Sequence, residues 1–177
     1  MSRVAILLLV ASAAACATTG GTPTPRPFPV PGRPATSAAA PEAAVPVAGP
    51  RDPYALTGTA LSLRGVPYRN GGADPAGFDC SGFVRYVFAQ HGVTMPRTVT
   101  EQFQTGAAVD GDYLPGDLVF FTTVSPGPSH VGISLGGDEF VHAPSSTGVV
   151  RVERLSAPYW SSRFVGVRRL HPSSSSL

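Results

Sequence analysis

The segment Gly77-Phe78-Asp79-Cys80-Ser81-Gly82-Phe83-Val84 is the most informative part of this 177-residue sequence. Asp79 is a favourable helix N-cap, and apolar residues recur behind it at helical spacing, namely Phe83, Val84, Val87 and Phe88. The pattern predicts a helix from Cys80 to about Gln90, with Gly92 just past its end. A thiol in the first turn of a helix lies near unpaired backbone N–H groups and the positive end of the helix dipole, which favour the thiolate. Cys80 is therefore a candidate nucleophile.

Two histidines far downstream complete a candidate catalytic set. His130 opens one strand-like run and His142 lies in the next, with the turn Gly136-Gly137 between them. An antiparallel return at this turn would place His142 beside His130, close enough to orient its ring. A nucleophile, a base and a group that orients the base form the usual arrangement for covalent catalysis by a thiol or a hydroxyl.

Two other interpretations of these residues stay open at this point. Each histidine could be an ordinary hydrogen-bonded strand residue. Cys80, His130 and His142 are also zinc-ligand types, although the sequence has no tight ligand pair such as Cys-x-x-Cys or His-Glu-x-x-His.

The N-terminus has the features of an export signal. An apolar run over residues 4–10 is too short to span a bilayer, and the small residues after it end at Cys16. This ending resembles the lipobox of bacterial lipoproteins, although Ala13 stands where leucine is usual. We therefore expect a signal peptide over residues 1–15, lipidation of Cys16 and attachment to a membrane through that lipid. Ala17 is not aspartate, which indicates sorting to a Gram-negative outer membrane, facing the periplasm. The alternative is an ordinary cleaved signal peptide, with Cys16 incidental.

Composition divides the rest of the chain into a tether, a domain and a tail. Residues 17–52 are rich in Pro, Ala, Thr and Gly and are expected to form a disordered tether. Residues 53–171 suffice for one domain with its own core, and the mostly serine residues 172–177 are expected to be a flexible tail. The net charge of +2, without a Lys/Arg cluster, argues against nucleic acid as a partner. We expect a monomer.

Helical segments precede strand-like segments within the domain, which predicts an α+β fold. One helix is expected over residues 54–63, and Thr98-Val99-Thr100-Glu101 is a capping box that opens a short helix through Gln104. The strand-like runs that follow predict an antiparallel meander: 118–121, 131–135, 139–143, 148–152 and 164–170. Alternation places His130 on the face of its strand opposite to Val131 and Ile133, which should meet the core.

Several segments, in order, resemble the NlpC/P60 family of bacterial cell-wall cysteine peptidases. They are residues 65–68, 71–72, 78–84, 96–98 with Gln102, 115–121, 130–133 and 140–143. The resemblance covers nearly the whole domain and implies a papain-like fold, in which N-terminal helices pack on an antiparallel sheet. Two positions depart from the family pattern. Asn70 replaces an aromatic residue, and Ser134 replaces a frequent tyrosine.

The resemblance also implies roles for individual residues. Cys80 matches the nucleophile, His130 the general base and His142 the residue that orients the base. Tyr68 matches a tyrosine beside the nucleophile that helps the oxyanion site. No metal or cofactor is implied.

The implied reaction is hydrolysis of a peptidoglycan stem peptide through an acyl-enzyme intermediate. The usual bond in this family joins D-glutamate, through its side chain, to a diamino acid. Asp79 and Ser81 match positions that contact the peptide on the amino-terminal side of that bond. Two alternatives remain for the whole protein: an N-acetylmuramoyl-L-alanine amidase, or a non-catalytic wall-binding lipoprotein.

Overall fold

The computed structural model describes residues 49–50 and 52–171. The predicted signal peptide, Cys16, almost all of the predicted tether and the tail over residues 172–177 lie outside the described residues. Within the described part of the chain, no helix has the length and apolar character needed to cross a membrane.

Four helices and eight strands make up the described domain. In chain order they are α1 (Pro53–Ser62), β1 (Ala73–Asp74), β2 (Gly77–Phe78), α2 (Cys80–Gln90), α3 (Val99–Phe103), β3 (Ala107–Ala108), β4 (Leu118–Phe121), β5 (His130–Gly136), β6 (Glu139–His142), β7 (Arg151–Arg154), α4 (Pro158–Ser161) and β8 (Phe164–Arg169). The predicted α+β order of helices before the main strands is confirmed.

The main sheet has six antiparallel strands in the order β3-β8-β4-β5-β6-β7. Strands β4 to β7 form the predicted meander. Strand β8 does not extend the meander, because the chain crosses back through α4 and pairs β8 with β4. The predicted strand over residues 148–152 is shifted. Gly148 sits in a turn with φ +75° and Val149 bridges to Pro67, so pairing with β6 begins only at Arg151.

Side chains at the helix starts explain where each of the first three helices begins. The carboxylate of Asp52 accepts hydrogen bonds from the N–H groups of Tyr54 and Ala55 at the start of α1. Asp79 accepts from the N–H of Gly82 at 2.7 Å and caps α2, as predicted. The predicted capping box of α3 is present in both directions, between Thr98 and Glu101.

The sheet is covered on both faces. Helix α2 buries its apolar side against one face, together with β4 and β5 side chains; the cluster includes Phe83, Val84, Val87, Phe88, Val131 and Ile133. Each such side chain contributes about 1.5–3 kcal/mol when fully buried. The opposite face carries a second cluster of Val119, Phe121, Phe140, Trp160 and Val167. Trp160 comes from α4, which the sequence did not predict, so the face that holds His130 is buried as well.

Candidate active site

Close backbone packing fixes the start of helix α2, where Cys80 lies. The N–H of Asp79 donates to the carbonyl oxygen of Gly72 at 3.0 Å, and a Cβ on Gly82 would stand 2.0 Å from that same oxygen. Only glycine at position 82 allows this approach. The Gly-Gly motif and the glycine after Cys80-Ser81 are therefore two sides of one contact that positions the thiol.

The Cys80 thiol is free and half-buried. Burial raises the pKa of the thiol above its ordinary value, and the carboxylate of Asp79 adds to the increase. The backbone N–H groups of Ser81, Val131 and Cys80 itself act in the opposite direction. The helix start was expected to favour the thiolate; its N–H groups do so, but burial and the neighbouring carboxylate outweigh them. A base must therefore remove the proton from the thiol.

The structure brings His130 and His142 together across the β5–β6 hairpin, as the turn between them predicts. Nε2 of His130 lies 2.7 Å from Nδ1 of His142. Burial lowers the pKa of His130 to about 4, so its imidazole is neutral at neutral pH and can accept a proton. With Nε2 engaged by His142, Nδ1 of His130 is the nitrogen left for the thiol. His130 directly precedes Val131, whose N–H faces the thiol.

Tyr68 stands beside the start of α2. It forms an isolated bridge with Phe78, the residue before Asp79, and packs against the main core cluster as Cys80 does. Its hydroxyl donates to Oδ1 of Asn70 at 3.0 Å. Burial raises the pKa of Tyr68, and the charges of Cys80 and Asp79 raise it further, which reports their proximity. Asn70, one of the two departures from the family pattern, thus holds the tyrosine hydroxyl.

Sequence reasoning missed Arg97 as a site residue. Its guanidinium forms a salt bridge with the carboxylate of Asp79, with Nη1 3.0 Å from Oδ1, and also donates to Oγ of Ser81 at 2.8 Å. The carboxylate of Asp79 therefore already holds a cation and caps α2. The place of Arg97 in the segment 96–98, which matches the family pattern together with the cysteine segment, was the signal that could have found it.

Gln102 in α3 holds the backbone on both sides of the cluster of Asp79, Ser81 and Arg97. Its side chain is fully buried, and Nε2 donates to the carbonyl oxygens of Ser81 at 3.0 Å and Pro96 at 2.8 Å. One amide thus ties the segment before α3 to the first turn of α2. The contact explains why Gln102 belongs to the set of motifs around the cysteine.

The chemistry available at this site is nucleophilic. A thiol at a helix start, a neutral buried imidazole and a second imidazole bonded to the first correspond to nucleophile, base and orienting group. Across residues 49–50 and 52–171, no group of three or more His, Cys, Asp or Glu side chains is arranged to hold a metal ion.

Known proteins resemble the domain in both sequence and structure. The murein DD-endopeptidase MepS/murein LD-carboxypeptidase of Escherichia coli is 44% identical over 109 residues, which are 60% of this chain and 57% of that protein. The gamma-D-glutamyl-L-lysine dipeptidyl-peptidase of Bacillus cereus is 35% identical over 120 residues, 66% of this chain and 36% of that protein. The crystal structure of an NlpC/P60 family protein from Bacillus cereus superposes with a TM-score of 0.64 at 32% identity, covering 70% of this chain and 41% of that one.

The chain spans less than two thirds of the length of each of these relatives. The match to the family itself covers residues 65–169, which is more than half of the chain and contains Cys80, His130 and His142. Sequence, fold and site geometry thus agree, and the chain belongs to the NlpC/P60 family.

Proposed function

We propose that the domain is a peptidoglycan hydrolase, a cysteine endopeptidase that cleaves stem peptides. The observation that carries the proposal is the 2.7 Å contact between two buried imidazoles, next to the strand residue whose N–H faces the Cys80 thiol. Membership of a family whose relatives are named as murein and glutamyl peptidases supports it.

The proposed reaction begins with proton transfer from the Cys80 thiol to Nδ1 of His130. The thiolate attacks the scissile carbonyl carbon, and the oxyanion that forms accepts hydrogen bonds from backbone N–H at the start of α2 and from the Tyr68 hydroxyl, which turns its single hydrogen from Asn70 to the oxyanion. The His130 imidazolium then gives its proton to the leaving amine, and the C–N bond breaks to leave a thioester. Water, deprotonated by His130, attacks the thioester and releases the carboxylic acid and the thiol.

The bond we propose joins D-glutamate, through its side chain, to a diamino acid. The support is the relative named gamma-D-glutamyl-L-lysine dipeptidyl-peptidase and the polar cluster of Asp79, Ser81 and Arg97 beside Cys80. A second candidate is the DD bond between cross-linked stems, because the 44% identical relative is named a murein DD-endopeptidase.

Digestion of purified muropeptides, with products identified by mass, tests the proposal. A fragment that begins with the diamino acid supports the first bond, and conversion of cross-linked dimers to monomers supports the DD bond. Release of sugar from an intact peptide would establish the amidase.

Substitution of Cys80 tests the nucleophile. Cys80→Ala should abolish cleavage, because loss of a triad member typically costs several orders of magnitude in rate. Circular dichroism should show the fold unchanged. Equal cleavage by the variant and the wild type would contradict thiol catalysis.

We also propose that the protein is exported and anchored as a monomer in the outer membrane by lipid on Cys16, with the Pro-rich segment as spacer. The support is the apolar run and the small residues that end at this cysteine. Cys16→Ser should move the protein out of the membrane fraction or block its processing. Recovery of the wild type as an unlipidated periplasmic protein would contradict the anchor.

A further inference from the structure

The second ring nitrogen of His142, Nε2, faces the carboxylate of Glu153, a residue without a part in the proposed mechanism. Nε2 of His142 is buried and has no hydrogen-bond partner among the described residues. Oε1 of Glu153 lies 3.9 Å from it. A buried N–H with no acceptor is costly, and catalytic contacts are often long in an unliganded enzyme and shorten when substrate binds. An approach of about 1 Å would bring the two atoms to hydrogen-bond distance.

Glu153 is held in place and does not move freely in solvent. Nε of Arg151 lies 3.0 Å from Oε1, and the indole N–H of Trp160 donates to Oε2. The β6–β7 register sets Arg151 opposite His142 and Glu153 opposite Phe140, so both charged side chains stand on the face that carries the histidine pair. The carboxylate is only 22% exposed.

Trp160 joins this carboxylate to both imidazoles. Its ring stacks on His130 with centroids 5.4 Å apart and an interplanar angle of 24°, and it meets the edge of His142 at 4.9 Å. Its N–H binds Glu153. One side chain from α4 therefore fixes the positions of the base, the orienting histidine and the carboxylate together.

The proposed role of His130 and the carboxylate of Glu153 independently favour the same placement of hydrogens on the two imidazoles. For Nδ1 of His130 to accept the thiol proton, the hydrogen of the neutral ring must be on Nε2. That N–H then donates to Nδ1 of His142 across the 2.7 Å contact. His142 must carry its own hydrogen on Nε2, the nitrogen that faces Glu153. A carboxylate at that position favours this tautomer, because it attracts the N–H and repels a lone pair.

We propose that Glu153 is a positioning residue that holds His142 in the Nε2–H tautomer and so keeps Nδ1 of His130 free to act as the base. The consequence for catalysis rests on the proposed function, whereas the tautomer itself does not. The alternative is that Glu153 only anchors Trp160 and Arg151 and leaves the histidine pair unaffected.

Glu153→Gln and Glu153→Ala test this directly, with Glu139→Ala as the matched control. Glu139 is an exposed carboxylate on the neighbouring strand β6. Nitrogen-15 NMR of the histidine side chains in the full chain at neutral pH should show hydrogen on Nε2 of His142 in the wild type and in the control. Both Glu153 variants should shift His142 toward a mixture of tautomers. If Glu153→Ala fails to fold, the amide variant carries the test, since it keeps the shape and loses the charge.

Kinetics should show kcat/KM reduced about tenfold in both Glu153 variants with KM little changed, by analogy with the partners that orient metal-ligating histidines, whose loss typically costs 10- to 100-fold. A wild-type His142 with hydrogen on Nδ1, or Glu153 variants whose tautomer and kcat match the wild type, would overturn the proposal. If the wild type cleaved no peptidoglycan substrate, the proposed function would fail while the NMR result still decided the tautomer.

Discussion

Gly82, in the first turn of α2, packs on the carbonyl of Gly72 so closely that a methyl group would stand 2.0 Å from the oxygen. The same carbonyl accepts the N–H of Asp79. Cys80, the proposed nucleophile, lies two residues before this glycine. The position of the thiol therefore depends on a contact between two backbone segments, which any side chain at position 82 would force apart.

Gly82→Ala should displace the start of α2 and lower both stability and activity. Overpacking of this kind typically costs about 1–3 kcal/mol in the free energy of unfolding. Gly58→Ala is the matched control, since it lies exposed in α1 with nothing within 4 Å of the added methyl group. There alanine should stabilise by up to about 1 kcal/mol through helix propensity. Thermal denaturation and muropeptide cleavage measure the two effects, and unchanged activity in Gly82→Ala would show that the contact does not position the thiol.

Substitution of His130 and His142 should separate the proposed base from the residue proposed to orient it. His130→Ala should lower kcat nearly as far as Cys80→Ala does, because it removes the group that accepts the thiol proton. His142→Ala should lower kcat less, since the contact of His142 Nδ1 with Nε2 of His130 orients the His130 ring and takes no proton in the first step. Single-turnover cleavage of a muropeptide measures both. If His142→Ala were the more harmful variant, the two roles would be reversed.

Much of this site could be predicted from sequence because its residues lie on elements with strong local signals. The N-cap at Asp79, the apolar spacing behind Cys80 and the Gly-Gly turn between two strands are each set by short-range chemistry. These features place a thiol at a helix start and two histidines across a hairpin.

The residues that surround the histidines could not be predicted in this way. Helix α4 is only four residues long and has no side-chain cap, so Trp160 gives no periodic signal. Glu153 reaches His142 only because β7 begins at Arg151, and that register depends on the turn at Gly148 and the bridge from Val149 to Pro67. The contacts of Trp160 and Glu153 with the histidines therefore depend on how distant segments pair in the folded protein.

Stability should depend on pH through the buried histidine pair. Burial lowers the pKa of His130 to about 4 in the folded protein, below its ordinary value of 6.5. Between these pH values the unfolded chain binds a proton that the folded chain does not, so stability is complete above pH 6.5 and falls as pH decreases toward 4. The loss amounts to about 3 kcal/mol for His130 alone, at about 1.4 kcal/mol per unit of pKa.

His142 adds to this loss in the same direction, because burial and the neighbouring charge of His130 lower its pKa as well. Denaturant unfolding at several pH values measures the slope. Replacing His130 with Gln should reduce the slope between pH 4 and 6.5 and leave the part that His142 contributes. An equal slope in the His130→Gln variant would contradict burial of a neutral His130.

Variants of Asp79 should distinguish its structural role from a role in substrate binding. Its carboxylate caps α2 and forms a salt bridge with Arg97, so a substrate ammonium group would have to share it. Asp79→Asn keeps a good N-cap but loses the charge, whereas Asp79→Ala loses both. We expect Asp79→Ala to destabilise the protein by about 1 kcal/mol more than Asp79→Asn does.

Substrate binding is the second measurement. If the free amino terminus of the stem binds Asp79, both variants should raise KM for free stem peptides by a similar factor, because both lose the negative charge. Charge-assisted contacts are roughly twice as strong as neutral ones. Sugar-linked muropeptides, which have no free amino terminus, are the matched substrate and should be affected less. An equal change for both substrates, with a loss of stability in both variants that is larger in Asp79→Ala, would show that the carboxylate serves the helix and Arg97 and does not select the detached peptide.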